Sequence, residues 1–176
     1  MPKSERGVTE MSVVTDRLVT AADCAQCKEC CFFESYTLAD TPSVSDDTAV
    51  RASMLIPEVR FTEPYGKRLF LMLPTDDPEI FVCPMLDHSK GCLLGADKPF
   101  ECRLFPFALM QRDGVRMITL SPSCPCISEQ SREHMKRTAA DLLPDVLAEA
   151  DRRPELVRPY EAGYTVMCTE QLFTEG

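Results

Sequence analysis

The chain has 176 residues, of which 44% are hydrophobic and 27% charged, with a formal net charge of −9 and an isoelectric point near 4.8. That length suits one domain with a real core and is short for two, and the composition excludes wholesale disorder. The acidic balance disfavours nucleic acid and anionic membrane surfaces as partners, because both are recognised through Lys and Arg.

Residues 1–8 are polar and aperiodic and read as a flexible tail, leaving 9–176 as a single domain. No apolar signal-peptide core follows the N-terminal Met-Pro-Lys-Ser-Glu-Arg-Gly, and no run approaches the roughly 18 apolar residues of a membrane span. A cytoplasmic location is therefore expected. Val13 to Ala22 is mildly apolar and leads to Asp23, a candidate cap for a short helix or turn beginning at Cys24. Ser35 to Asp47 reads as a loop, and a helix is expected from Asp46 to Ile56, with Val50, Met54 and Leu55 on one side and Pro57 as the stop.

Lys67 to Leu73 and Glu79 to Cys83 read as short strands around the turn Pro74-Thr-Asp-Asp-Pro78. A clearer hairpin joins Phe107–Gln111 to Val115–Leu120 through Asp113-Gly114, a pair suited to positive φ. The main helical segment, 128–158, has Ser128 as candidate cap and Met135, Ala139, Leu142 and Leu143 at helical spacing. Pro144 should kink it or start a second helix carrying Val146, Leu147 and Ala150. Gly163 to Phe173 suits a strand or a helix equally. The expected fold class is α+β: a small, irregular, metal-stapled domain with short antiparallel hairpins and C-terminal helices.

Ten cysteines dominate the chemistry. In a reducing cytoplasm they read as metal ligands rather than as a disulfide framework. The first group is Cys24-x2-Cys27-x2-Cys30-Cys31, the second is Cys83, Cys92 and Cys102, and the third is Cys124-Pro-Cys126, with Cys168 alone. Thiolates are what soft and borderline metals prefer. Were 24–31 one regular helix, Cys24 and Cys31 would stand about 10 Å apart along its axis. Zinc–sulfur bonds of about 2.3 Å forbid that for one ion. Either the segment wraps as a loop, or its cysteines are shared between centres, and the later groups complete the coordination.

The CxxCxxC spacing, with Cys83-Pro84 and Cys124-Pro125, fits an iron–sulfur cluster, which is slightly preferred; a four-cysteine zinc site uses the same side chains. His88, between Cys83 and Cys92, is a candidate fourth ligand or proton carrier, read in preference as a surface-loop residue. His134 belongs on an exposed helix face. Two histidines exclude a three-histidine zinc site or a His-Glu-x-x-His helix.

The order Cys24-x2-Cys27-x2-Cys30-Cys31, Cys83-Pro-Met-Leu, then Cys92-x9-Cys102-Arg103-Leu-Phe105-Pro106-Phe107 resembles the bacterial cysteine-cluster (CxxCxxCC) proteins. These form a zinc- or iron-chelating domain family related to flagellin lysine methylases. The resemblance covers roughly 24–126. It implies Cys24, Cys27, Cys30, Cys31, Cys83, Cys92, Cys102 and Cys124 as the ligand set, with Cys126 and Cys168 spare. Where the family carries Arg-Pro before its third central cysteine, this chain has Lys98-Pro99, so a fork-like bidentate contact is not available there. Arg103 is a candidate cation beside the cluster, or else a buried arginine paired with a carboxylate. Phe105, Pro106 and Phe107 are expected to pack around the site.

The leading expectation is a metal-thiolate protein with a redox or metal-binding accessory role. A metal-dependent enzyme related to protein lysine methylation, acting on a protein substrate, is one alternative, and a structural zinc module that recruits a protein partner is another. Seven scattered glycines supply no nucleotide-cradling loop, and no CxxxCxxC triplet is present.

Overall fold

The computed structural model describes residues 18, 21–34, 41–127 and 130–173. The expected tail at 1–8 lies outside these residues, as do Ser128, most of Val13–Ala22 and 35–40 of the expected loop. The fold is α+β, with four helices and several short, mostly antiparallel sheets among the described residues.

Two hydrophobic clusters organise it. The larger lies between helix α4 (Arg132–Arg152) and a four-stranded sheet of order β10-β8-β9-β11. Strands β8 (Phe107–Arg112) and β9 (Val115–Leu120) are the expected hairpin, closed by Asp113 at φ 53° and Gly114 at φ 78°. Both central residues are thus left-handed, as a tight turn matching strand twist requires. Strand β10 (Arg158–Pro159) adds parallel to β8, and β11 (Thr165–Thr169) adds antiparallel to β9 with a bulge between Val166 and Cys168. The undecided C-terminal stretch is therefore a strand followed by a 3-10 turn, Glu170–Phe173.

Met135, Ala139, Leu142, Leu143, Val146 and Ala150 form the buried stripe of α4 against Phe107, Leu109 and Ile118. Pro144 does not divide this helix: 132–152 is one 21-residue element. Its ring faces solvent, and the buried Leu142, Leu143 and Val146 on either side hold the helix down despite the lost N–H. The cap is Ser131, whose side chain accepts from the His134 N–H at 3.1 Å, so the helix begins later than Ser128 would have placed it. His134 is partly buried rather than fully exposed.

The smaller cluster comprises Val44, Ala52, Phe70, Met72, Met85 and Leu94. Helix α2 (Asp46–Leu55) is capped by Ser45, which accepts from the Thr48 N–H, so Asp46 and Asp47 belong to the helix and not to a loop. Its buried face is Thr48 and Ala52, whereas Val50 is 62% and Met54 71% exposed. The expected apolar face is thus the wrong one. Small Ala52, fully buried, lets the helix approach Phe70 and Met72 more closely than a face of long side chains allows.

The expected strand 67–73 is split. Strand β3 (Leu69–Phe70) pairs with β2 (Phe61–Thr62), while β4 (Leu73–Pro74) pairs with β5 (Phe81–Val82). Strand β1 (Phe32–Phe33) completes a sheet of order β1-β5-β4, in which Pro74 sits on an edge strand, where a missing N–H is tolerated. A last hairpin, β6 (Leu86–Asp87) with β7 (Gly91–Cys92), carries the exposed His88 at its turn, 6.3 Å from the Phe32 ring.

A polar strut joins the two clusters. Glu101 Oε1 accepts from the Ser43 N–H at 2.9 Å and its hydroxyl at 3.0 Å, and Ser43 Oγ accepts from Arg153 at 2.8 Å. Lys67 Nζ lies 3.8 Å from the same carboxylate oxygen and donates to the Thr41 carbonyl. These contacts fix helix α3 (Phe100–Leu104), which carries Cys102, against the 41–45 segment.

Candidate metal-thiolate site

Helix α1 spans Ala21–Cys27, so Asp23 lies inside it rather than capping it. Lys28 then turns left-handed, at φ 56°, and a 3-10 turn Glu29–Cys31 follows, fixed by the Cys31 N–H donating to the Lys28 carbonyl at 2.9 Å. The 24–31 segment is thus not one regular helix and breaks between Cys27 and Cys30. Cys30 and Cys31 leave the helix axis and turn towards the second cysteine group.

Backbone pairing brings that group in. The Cys83 N–H donates to the Cys31 carbonyl at 2.9 Å, immediately after the Phe32–Val82 pair of β1 and β5. The β6–β7 hairpin folds Cys92 opposite Leu86, three residues beyond Cys83, and the Leu93 N–H donates to the Met85 carbonyl. Both Cys83 and Cys92 rest against the smaller core, and Cys102 comes from α3.

The five sulfurs of Cys30, Cys31, Cys83, Cys92 and Cys102 lie within electrostatic reach of one another. The Cys31 thiol hydrogen-bonds the Cys30 sulfur, which lowers Cys30 to about 7 against the opposing effect of burial, with Lys98 assisting. Cys31 is pushed up by the same bond, then by burial and by the charges of Cys30, Cys83 and Cys102. The shared hydrogen bond thus favours charge on Cys30 and disfavours it on Cys31. Burial raises Cys83 to about 12, Cys92 less far, and Cys102 well above its ordinary value, and charge on neighbouring thiols adds to each rise.

Backbone donors oppose these rises. The Met85 N–H is directed at the Cys83 sulfur, and the N–H groups of Leu94 and Gly95 at the Cys92 sulfur. A neutral thiol is a weak acceptor, whereas a thiolate accepts such bonds strongly. Each loop thus presents N–H groups from two or three residues downstream to its cysteine, an arrangement that suits a charged, metal-bound sulfur. The sequence shows no sign of these donors beyond the turn glycines Gly91 and Gly95.

Lys98, partly buried, is the cation beside Cys30 and Cys92. Arg103 is not among the charges acting on any of the five thiols, and its buried Nε has no hydrogen-bond partner among the described residues. Lys98 follows the 3-10 turn Gly95–Asp97 and is the cation named among the leading charges on Cys30 and Cys92. Phe107 is buried in the larger core and Phe105 partly buried, with a cis peptide bond between Phe105 and Pro106.

Cys27 is partly buried at the end of α1, Cys124 packs against the larger core, and Cys168 is buried within it on β11. Burial raises Cys168 to about 11, and it fits the spare role. The side chains of Cys24 and Cys126 lie outside the described residues. Among the described residues, no group of three or more His, Cys, Asp or Glu side chains is arranged to hold a metal ion. The donor chemistry nevertheless suits zinc or an iron–sulfur cluster, being all sulfur, clustered and supplied with backbone N–H donors.

Helix α1 reaches the site by lying on β7 and on the 3-10 turn Pro125–Ile127. A Cβ at Gly91, whose φ is 84°, would meet the Ala25 Cβ at 3.3 Å. Gly91→Ala is therefore expected to destabilise the protein by about 1–2 kcal/mol, through positive φ and displacement of α1. Urea unfolding of both proteins checks this, and an unchanged midpoint would contradict the packing.

No helix among the described residues is long and apolar enough to cross a membrane. Comparison of the chain with family models, with curated proteins and with solved structures finds no match.

Proposed function

We propose that this chain is a metal-thiolate protein that holds an iron–sulfur cluster or zinc, and that it serves a redox or metal-binding accessory role in the cytoplasm. One observation carries the reading: five thiols from four separate segments converge, and backbone N–H groups are aimed at two of them. A packed core gains nothing from gathering like-charging groups in this way. A bound metal does, because it replaces their protons and offsets their mutual repulsion.

Cys30, Cys31, Cys83, Cys92 and Cys102 are the proposed inner ligands. Cys24, Cys27 and Cys124, which the cysteine-cluster resemblance adds, are candidates for a second centre or for closing the first. An iron–sulfur cluster would supply electron transfer, and zinc a fixed cross-link between segments. In either case Lys98 offsets the negative charge of the sulfurs, and the N–H donors of Met85, Leu94 and Gly95 orient Cys83 and Cys92. Metal binding then contributes to folding, because it draws together loops distant in sequence.

Protein purified without oxygen is expected to carry about one or two metal centres. Elemental analysis with a visible spectrum checks this. Brown protein containing iron and sulfide identifies a cluster, and colourless protein with zinc identifies the zinc form. Fully folded protein without metal under those conditions would sink the proposal.

A further inference from the structure

A cavity of about 90 Å³ lies between α3, β8 and the β10–β11 connection, and both Cys30 and Cys102 line it. The thiol cluster therefore has a wall open to a small molecule. Phe100, Phe105 and Tyr164 supply aromatic surface, and Glu101 lines the same space. Its Oε2 is buried and has no hydrogen-bond partner among the described residues, while Oε1 is engaged by Ser43.

A buried carboxylate oxygen without a donor is costly, and a ligand that brings a donor relieves that cost. Charge points the same way. Arg158 also lines the cavity, but its guanidinium lies 3.2 Å from Glu161 and over the Tyr164 ring. Glu101 Oε1 already faces Lys67 Nζ at 3.8 Å, so Oε2 is the oxygen that an ammonium group would meet, and the Phe100 and Phe105 rings attract cations by their faces. A 150 Å³ apolar cavity accommodates benzene, so this one fits an occupant of roughly three or four non-hydrogen atoms.

We propose that the cavity is a binding site for a small alkylammonium ion, held by Glu101 and the aromatic walls, with its body against Cys30 and Cys102. The thiolate contribution rests on the metal-thiolate reading, and the Glu101 contribution does not.

The test uses the full chain as purified, titrated with ethylammonium chloride, ethanol or sodium acetate and followed by NMR. Saturable shifts at Phe105 and Tyr164 with the amine, weaker ones with the alcohol and none with the carboxylate are expected. Glu101→Gln should weaken amine binding about tenfold or more, the scale of a lost charge-assisted hydrogen bond. Because that change also loosens the Ser43 strut, Ala108→Leu provides a second arm. It fills the cavity from β8 and should abolish amine binding with metal content unaltered. Equal binding of acetate, no saturable response, or undiminished binding by Ala108→Leu would overturn the site. Metal is measured on the same samples. Metal-free protein that binds the amine overturns the metal reading alone, and metal-loaded protein that does not bind it overturns the cavity reading alone.

Discussion

Cys102→Ser is expected to strip the protein of stoichiometric metal and to lower its melting temperature steeply while leaving a less stable folded chain, whereas Cys168→Ala leaves metal content unchanged. The two cysteines differ in their surroundings, not in exposure to solvent alone. Cys102 sits where the charges of Cys30, Cys83, Cys92 and Glu101 converge, on the short helix that links the two hydrophobic clusters. Cys168 lies in the larger core beside Ile118, with no thiol among the groups acting on it. A serine oxygen is a poor ligand for metals that thiolates hold well.

The size of the effect follows from what the site ties together. Residues 30–31, 83, 92 and 102 are linked within the smaller lobe mainly by two-residue strands, which contribute little alone. Metal binding in small zinc domains contributes about 10–16 kcal/mol, as large as the whole stability of an ordinary domain. Elemental analysis, melting temperature and near-ultraviolet circular dichroism on both variants provide the check. Cys102→Ser with full metal occupancy would remove Cys102 from the ligand set. Equal metal loss in Cys168→Ala would show that the loss reflects general unfolding.

The parts of the fold readable from sequence are those governed by local rules. Asp113-Gly114 dictates its hairpin because few residues accept two positive φ angles, and the α4 stripe from Met135 to Ala150 repeats at helical spacing. The exposed face of α2 shows the limit. Val50 and Met54 look like a core face, yet Thr48 and Ala52 are buried, because the closeness of Phe70 and Met72 favours small residues, which hydrophobicity does not register. The site divides in the same way. Helix rise and bond length left two choices for 24–31, a loop around one centre or cysteines shared between centres, and did not by themselves place the break at Lys28. The charge of Lys98 acting on Cys30 and Cys92 was not legible, since it depends on how the chain folds after the turn Gly95–Asp97. The N–H donors of Met85, Leu94 and Gly95 were invisible for a related reason: every residue but proline carries one, and only loop conformation aims it.

The last expectation concerns pH and separates the metal-free from the metal-bound protein. In the metal-free chain Cys83 is raised from 9.0 to about 12, chiefly by burial, and Cys92 and Cys102 are raised for the same reason. For a group whose folded pKa is raised, stability is fully present below the unfolded value and is lost as pH rises through the folded one. Metal-stripped protein should therefore lose stability between about pH 9 and 12, with Cys83 alone contributing at most about 4 kcal/mol. Cys30, lowered to about 7, runs oppositely: its contribution is present above 9 and lost as pH falls through 7. The metal-bound protein should behave differently on both sides, because ligation holds the sulfurs deprotonated. Alkaline pH then takes nothing from the ligands, and acid becomes the threat, since protons compete with the metal for each sulfur. Urea midpoints measured across this range, with and without metal, should diverge above pH 9 and approach each other on acidification as metal is released. Parallel curves above pH 9 would mean that Cys83 and Cys102 are not ionised by the metal and do not ligate it.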